Sequence, residues 1–205
     1  MKPFNLFAIF VLSGLIISGI APHDYFTWIL EVFPAIIALV IIYFTRQTFP
    51  LSNLLYCLIL IHCLILFIGG HYTYAEVPLF NTLKELLHQQ RNNYDKVGHF
   101  IQGFVPAIVA REILIRKKVV NKLGWLSFIC VSICLAISAF YELIEAFVAI
   151  VTGDSAEAFL GTQGYVWDTQ SDMFYALLGA IVALILLPKI HNKSIEKVLA
   201  KNASG

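Results

Sequence analysis

Charged residues are scarce in this sequence. Only 13% of its 205 residues are charged, against about a quarter in an ordinary soluble domain. Hydrophobic residues make up 59%, and the mean hydropathy is +0.79. A chain of this length cannot hide so many apolar side chains in one soluble core, so lipid must surround much of its surface. The net charge of +1 offers no basic excess of the kind that nucleic-acid binding requires, and we expect no such partner.

Several catalytic signatures are also missing. The sequence contains no His-Glu-x-x-His zinc-protease helix, no Gly-x-Ser-x-Gly nucleophile turn and no glycine-rich nucleotide loop. Its cysteines form no Cys-x-x-Cys pair and all fall in apolar stretches, which favours buried free thiols. They are Cys57, Cys63, Cys130 and Cys134. The chemistry, if any, must therefore come from other side chains.

Long hydrophobic runs dominate what is present. A membrane-spanning helix needs roughly 20 mostly apolar residues. Six stretches meet or approach this length: Phe4–Ile20, Tyr25–Phe44, Leu51–Gly70, Asp95–Ile115, Trp125–Val151 and Asp172–Leu187. The sequence therefore predicts an all-α bundle of six transmembrane helices. It forms a single membrane domain over residues 1–205, with a short tail at 188–205.

Two of the spans need comment. The first resembles a secretory signal, but Pro22 would follow a cut after Ala21 and the apolar run is long, so we expect an uncleaved helix. The fourth span is the most polar. Because lipid does not tolerate such side chains, we expect this helix at the centre of the bundle, shielded by the others. Its polar residues are His99, Gln102, Arg111 and Glu112.

The basic residues predict the orientation. With the N-terminus inside the cell, only Lys84, Arg91 and Lys96 of the fourteen Lys and Arg residues fall outside. Cytoplasmic segments of membrane proteins carry the excess of basic residues, so both termini are expected to be cytoplasmic. The acidic residues are distributed the other way. Only Glu112 and Glu196 of the thirteen map to the cytoplasmic side.

The two longer outer loops carry their own patterns. Apolar residues recur at helical spacing over Leu79–Leu87, which predicts a short amphipathic helix at the membrane surface. Asp154–Leu160 is typical of a short helix ended by Gly161. Gln163–Gly164 then predicts a turn, and Trp167 suits the membrane interface.

Acidic side chains collect at the outer ends of the last three spans. Asp95 and His99 lie one turn apart on the fourth span. Asp168 and Asp172 have the same spacing where the sixth span begins. Each has a structural interpretation, since Thr169-x-x-Asp172 matches a helix capping box and Asp95 stands near a helix N-terminus.

The pair Glu142 and Glu145 has no such interpretation. It interrupts the apolar run of the fifth span, away from any helix N-terminus. A charged group in the hydrocarbon costs at least about 2.5–3.5 kcal/mol. Such residues persist because they pair, bind a cation or stay protonated. By contrast, Glu31 is interpreted as a lone interfacial carboxylate and His62 as a helix-packing residue.

Four segments together resemble a known family: Asn93–Phe100, Tyr141–Glu145, Phe159–Gly164 and Trp167–Met173. In combination they are similar to the YjdF-like family of bacterial inner-membrane proteins, which has no assigned biochemical activity. The resemblance covers nearly the whole chain and implies location in the bacterial inner membrane. More weakly, Asp95-Lys-x-x-His99-Phe100 resembles a signature of VanZ-like membrane proteins, some of them linked to glycopeptide resistance.

Three functions remain open. The first is a structural or envelope-maintenance role, in which the polar residues hold the bundle together. The second is a membrane-embedded hydrolase or transferase that binds a divalent metal, which carboxylates and imidazole suit, and acts on a lipid-linked substrate. In that scheme Glu145 is the base and Asp95 orients His99. The metal ligands are His99, Glu142, Asp172 and Asp168. The third is a proton- or ion-coupled transporter.

Overall fold

The fold comes from a computed structural model, which describes residues 3–120, 123–153 and 162–203. Within these ranges the chain forms eight α-helices and confirms the all-α prediction. They are α1 (Pro3–Ser18), α2 (Tyr25–Thr45), α3 (Asn53–Tyr72), α4 (Pro78–Leu86), α5 (Tyr94–Arg116), α6 (Leu123–Thr152), α7 (Asp168–Leu186) and α8 (Pro188–Ala203). The short helix predicted over Asp154–Leu160 lies outside the described residues.

Five of the helices are long and apolar enough to cross a membrane: α2, α3, α5, α6 and α7. The N-terminal helix α1 is equally apolar but shorter. Large apolar side chains point outwards, and Ile16, Phe44 and Ile150 are among the most exposed residues. This arrangement, inverted relative to a soluble protein, confirms a polytopic membrane bundle.

The most polar span is the central one, as its composition predicts. Half of the residues in the most apolar part of α5 are buried, against 39% or less in the other four spans. Its polar side chains are therefore held among other helices and away from the outer surface of the bundle.

Helices α5 and α7 touch at their backbones. A Cβ added to Gly103 of α5 would overlap the carbonyl oxygen of Ala176, and one added to Gly179 of α7 would overlap that of Phe100. Small residues allow helices to approach this closely in a membrane. We call the contact the α5–α7 seam. Its members are Gly103, Ala107, Ala176, Gly179, Ala180 and Ala183, and the four alanines are fully buried.

Side-chain caps fix where α2 and α3 begin. The Asp24 carboxylate accepts a 2.7 Å hydrogen bond from the Thr27 amide, and the Ser52 hydroxyl accepts one from the Leu55 amide. The bond from Thr27 holds the pKa of the Asp24 carboxyl below its usual range. Both helices thus start at residues whose side chains satisfy free backbone N–H groups.

Asp24→Ala is expected to lower the free energy of unfolding by about 1 kcal/mol at neutral pH, because the cap is lost. The pKa of Asp24 is lowered in the folded state, so its stabilisation is present above the unfolded pKa and disappears as the pH falls through the folded value. Thermal unfolding in detergent at several pH values measures this. Asp24→Asn, which keeps an acceptor at every pH, is the control. A constant difference between wild type and Asp24→Ala down to strongly acidic pH would contradict the assignment.

The C-terminal segment predicted as a tail forms the helix α8, and buried polar contacts dock it onto α5. Arg111 donates to His191 Nδ1 at 2.8 Å. Because arginine can only donate, Nδ1 is the acceptor and His191 Nε2 carries a hydrogen, which it donates to Glu112 at 2.9 Å. Glu112 also accepts from the Ser52 amide and from Arg116. We call this set, with Asn192, the Glu112 cluster.

The bundle therefore has two distinct polar ends. At the α5 N-terminal end, α5 and α7 begin and α1, α3 and α6 end. At the α5 C-terminal end, α3 begins and α8 docks. Of these two ends, the first carries the acidic residues that the sequence analysis singled out.

Candidate functional site

Three buried side chains converge at the α5 N-terminal end of the bundle. His99 Nε2 lies 3.2 Å from Asp95 Oδ1 and 3.8 Å from Asp172 Oδ2. One ligand atom from each of these residues lies within 4.8 Å of the other two. The pairing of α5 with α7 brings together residues that are more than 70 positions apart in sequence.

Two basic side chains, Lys96 and Arg91, form ion pairs with the acidic residues of this cluster. Lys96 Nζ lies 2.6 Å from Asp172 Oδ1 and 3.0 Å from Asp168 Oδ1. Arg91 pairs with Asp168 and with Asp95 Oδ2. As a result, Asp95 and Asp172 each give one oxygen to a cation and turn the other towards His99.

The orientation of His99 follows from its second ring nitrogen. His99 Nδ1 lies 2.9 Å from Gln102 Oε1, and since an amide oxygen only accepts, Nδ1 carries the hydrogen. In a neutral imidazole the lone pair of Nε2 then faces Asp95 and Asp172. Three acceptors pointing at one another repel, unless a proton or a metal ion lies between them.

Glu142, on α6, lies beside His99. Its Oε1 lies 3.9 Å from His99 Nδ1. This atom is buried and has no hydrogen-bond partner among the residues that the structure describes. A buried carboxylate oxygen without a partner is costly, so a proton, a water or a ligand at this atom would stabilise Glu142.

Glu145, which the sequence analysis predicts as the base, is not one of the three converging residues. It lines a cavity of about 220 Å³ that also contacts Asp95 and His99. Glu31 lines the same cavity and is only 5% exposed. The interpretation of Glu31 as a lone interfacial carboxylate is therefore wrong, because it faces the other acidic residues across this cavity.

Residues of α2, α3, α5 and α6 line the cavity. Its polar lining is completed by His62, Tyr74, Gln102 and Tyr141. Its apolar lining is formed by Pro34, Leu66, Gly98, Pro106 and Ile137. Helix α2 packs mainly on α3, whereas α6 packs on α5 and α7. Two of the helices that line the cavity, α2 and α6, thus pack on different neighbouring helices.

The structure groups the predicted site residues unevenly. His99 and Asp172 meet, and Asp95, predicted to orient His99, offers a ligand atom itself. Asp168 forms ion pairs with Lys96 and Arg91. Glu142 lies 3.9 Å from His99 and is not one of the three converging residues. The capping-box interpretation is wrong. Helix α7 begins at Asp168, its cap position is Trp167, and no side chain caps it.

Sequence reasoning missed the two cations and the cavity tyrosines. Lys96 and Arg91 were counted only as outer basic residues, although Arg91 stands at i, i+4 spacing from Asp95, which is typical of an ion pair. Tyr141 stands at the same spacing before Glu145. Tyr74 lies between α3 and α4, in a loop whose position the sequence pattern does not predict.

Comparison with known proteins identifies the family of this chain. Residues 4–193 match the family described as "Predicted membrane protein (DUF2238)". The chain is 48% identical over 199 residues to "Inner membrane protein YjdF" of Escherichia coli (strain K12), covering 96% of this chain and 95% of that protein. No solved structure matches the chain. The resemblance to YjdF-like proteins is thus confirmed, and the chain belongs to the DUF2238 family of membrane proteins.

Proposed function

We propose that this protein is a metal-dependent hydrolase or transferase of the bacterial inner membrane, which acts on a lipid-linked substrate at the periplasmic side. One observation carries the proposal. Asp95 Oδ1, Asp172 Oδ2 and, in the neutral imidazole, the lone pair of His99 Nε2 face one another around a common point. A divalent cation at that point would satisfy all three.

The chemistry of the ligands supports this assignment. Two carboxylates and one imidazole suit Mn²⁺, Fe²⁺ or Zn²⁺. Metal-binding side chains are commonly held in place by further hydrogen bonds. Here Gln102 orients the His99 ring, while Lys96 fixes the second oxygen of Asp172. The buried oxygen of Glu142 would gain a partner in such a site, through a water or as a further ligand.

The cavity supplies the place for a substrate. Asp95 and His99 border both the metal position and the cavity, so a ligand there would meet the metal. A bound divalent ion polarises a phosphoryl or carbonyl oxygen and acidifies water. Glu145 would accept the proton from the attacking water, and the apolar wall at Leu66 and Ile137 would contact the hydrocarbon part. The excess of basic residues at the opposite end of the bundle supports a periplasmic location for this end.

A structural role is the second candidate, and the two cations favour it. Arg91 and Lys96 already neutralise much of the charge of Asp95, Asp168 and Asp172. A protonated His99 could donate to Asp95 and complete the network without any metal. In that case the site would hold α5, α6 and α7 together and would not bind a substrate.

Metal analysis of the purified protein separates the two candidates. After chelation and reloading with Mn²⁺ or Zn²⁺, mass spectrometry should find about one ion per chain. His99→Ala and Asp172→Asn should lose it, since each removes one of three ligands. His23→Ala and Glu85→Gln, which change exposed residues outside the site, should retain it. A folded wild type that takes up no metal, or folded site variants that keep it, would overturn the proposal.

Hydrolysis is tested separately with Glu145→Gln. This variant should keep the metal but lose at least about 100-fold of any release of soluble products from a bacterial lipid extract, as expected for loss of a general base. Unchanged release would exclude Glu145 as the base. A lower melting temperature of His99→Ala in protein that never binds metal would favour the structural candidate.

A further inference from the structure

A second and larger cavity lies at the α5 C-terminal end, away from the candidate metal site. Its volume is about 900 Å³. The start of α1, the end of α2, the start of α3 and one face of α8 surround it. Cavities of this size hold a ligand of several hundred daltons. None of the residues discussed for the metal site lines it.

The charged side chains described around this cavity are all basic. Arg46, Lys193 and Lys197 line it, and no acidic side chain does so among the residues that the structure describes. Lys193 and Lys197 stand one turn apart on α8, so both can reach the same ligand. The cavity is therefore suited to an anion.

Contacts within the protein already hold the Arg46 side chain in place. Its guanidinium lies over the Tyr43 ring at 3.8 Å from the centroid and also contacts the Phe4 ring. One of its N–H groups donates to the Tyr43 carbonyl oxygen, which leaves other donors of the five for a ligand. A held arginine loses less side-chain entropy on binding an anion than a free one does.

The rest of the lining has both polar and apolar parts. Asn5 and Asn53 offer amide donors, whereas Leu54, Tyr56 and Cys57 form an apolar wall on the membrane-spanning helix α3. A free phosphate would use only the polar part. A molecule with an anionic head and a hydrocarbon chain would use both.

We propose that this cavity binds an anionic phospholipid. The phosphate lies among Arg46, Lys193 and Lys197, and the acyl chains run along α3 into the bilayer. Basic pockets at the cytoplasmic ends of membrane helices bind anionic headgroups in this way, and this end of the bundle is the one predicted to be cytoplasmic. The lipid also bridges α8 to α2, so binding adds to the contacts of the Glu112 cluster that hold α8.

Lipid titration of the delipidated protein in a neutral detergent tests the proposal. Short-chain phosphatidylglycerol should raise the melting temperature and remain bound in native mass spectrometry. Phosphatidylcholine, which has the same phosphate but no net charge, should bind at least about tenfold more weakly. Inorganic phosphate at the same concentration should cause no shift. Equal binding of both lipids, or an equal shift with inorganic phosphate, would overturn the proposal.

Variants locate the binding to this cavity. A basic residue near an anionic headgroup contributes about 1 kcal/mol, or about fivefold in affinity, so K193Q/K197Q should bind phosphatidylglycerol about 25-fold more weakly. The matched control K118Q/K189Q removes two exposed lysines at the same end that do not line the cavity, and it should stay within about twofold of wild type. Arg46→Gln, directly after α2, provides an independent test if the α8 variant unfolds. Wild-type affinity in a folded cavity variant would overturn the assignment.

Discussion

Replacing Gly103 with alanine should destabilise the protein by about 3 kcal/mol or more, a large effect for one added methyl group. The added Cβ would overlap the backbone of Ala176. A flexible side chain could move aside, but a helix backbone moves only if α5 and α7 separate along the whole seam. Overpacking of a core usually costs 1–3 kcal/mol, so we expect a cost at or above the upper end of that range.

Thermal unfolding in detergent measures this cost, and Gly124→Ala is the matched control. The same substitution on α6 meets no atom within 4 Å, so it should leave stability unchanged or raise it by up to about 1 kcal/mol. Gly103→Ala should also weaken the metal binding proposed above, because it shifts Asp95 and His99 relative to Asp172. Equal stability of the two variants would show that α5 and α7 do not meet at Gly103.

Removing the Glu112 carboxylate has the second large effect. Glu112→Ala should lower the free energy of unfolding by about 3–5 kcal/mol, as expected when one partner of a buried ion pair is removed. Glu112 and His191 are both fully buried. Without the carboxylate, the Ser52 amide and His191 Nε2 lose their acceptor, and Arg116 loses its carboxylate partner.

Hydrogen exchange along α8 gives this variant a specific readout. Because His191 joins α8 to Glu112, the backbone N–H groups of α8 should exchange faster in Glu112→Ala, together with a lower melting temperature. Glu196→Ala changes an exposed acid on α8 itself and should stay within about 0.5 kcal/mol of wild type. If α8 stays as protected as in wild type, it is held by contacts other than the Glu112 cluster.

The helices could be predicted because lipid restricts the choices. A spanning segment must satisfy its own backbone hydrogen bonds, so length and hydropathy predict it almost alone. The central place of α5 followed from His99, Gln102, Arg111 and Glu112, since polar side chains must be shielded. The seam was missed because glycine and alanine are common in membrane helices, and nothing in their spacing says which helix they contact.

The candidate site could be predicted only in part, for a related reason. His99 and Asp172 stood out because they lie on helices whose ends were predictable. Glu31 and Tyr74 did not, because their place depends on how the first three helices pack against α5. Lys96 was counted only as a basic residue on the outer side, although it is only 8% exposed. Its long side chain reaches Asp168 and Asp172 across the seam, which no pattern within one helix indicates.

The α5–α7 seam also decides which parts of the molecule are free to move. Two backbones in direct contact, with no side chain between them, can neither slide nor separate without losing the whole contact. Asp95, His99 and Asp172 are thus carried on a rigid frame, and their mutual distances change little. Helices α2 and α6 both line the smaller cavity, and among the residues that the structure describes no such backbone contact joins them. The seam thus sets the spacing of the candidate ligands on α5 and α7, whereas the spacing of α2 and α6 around the smaller cavity depends on other contacts.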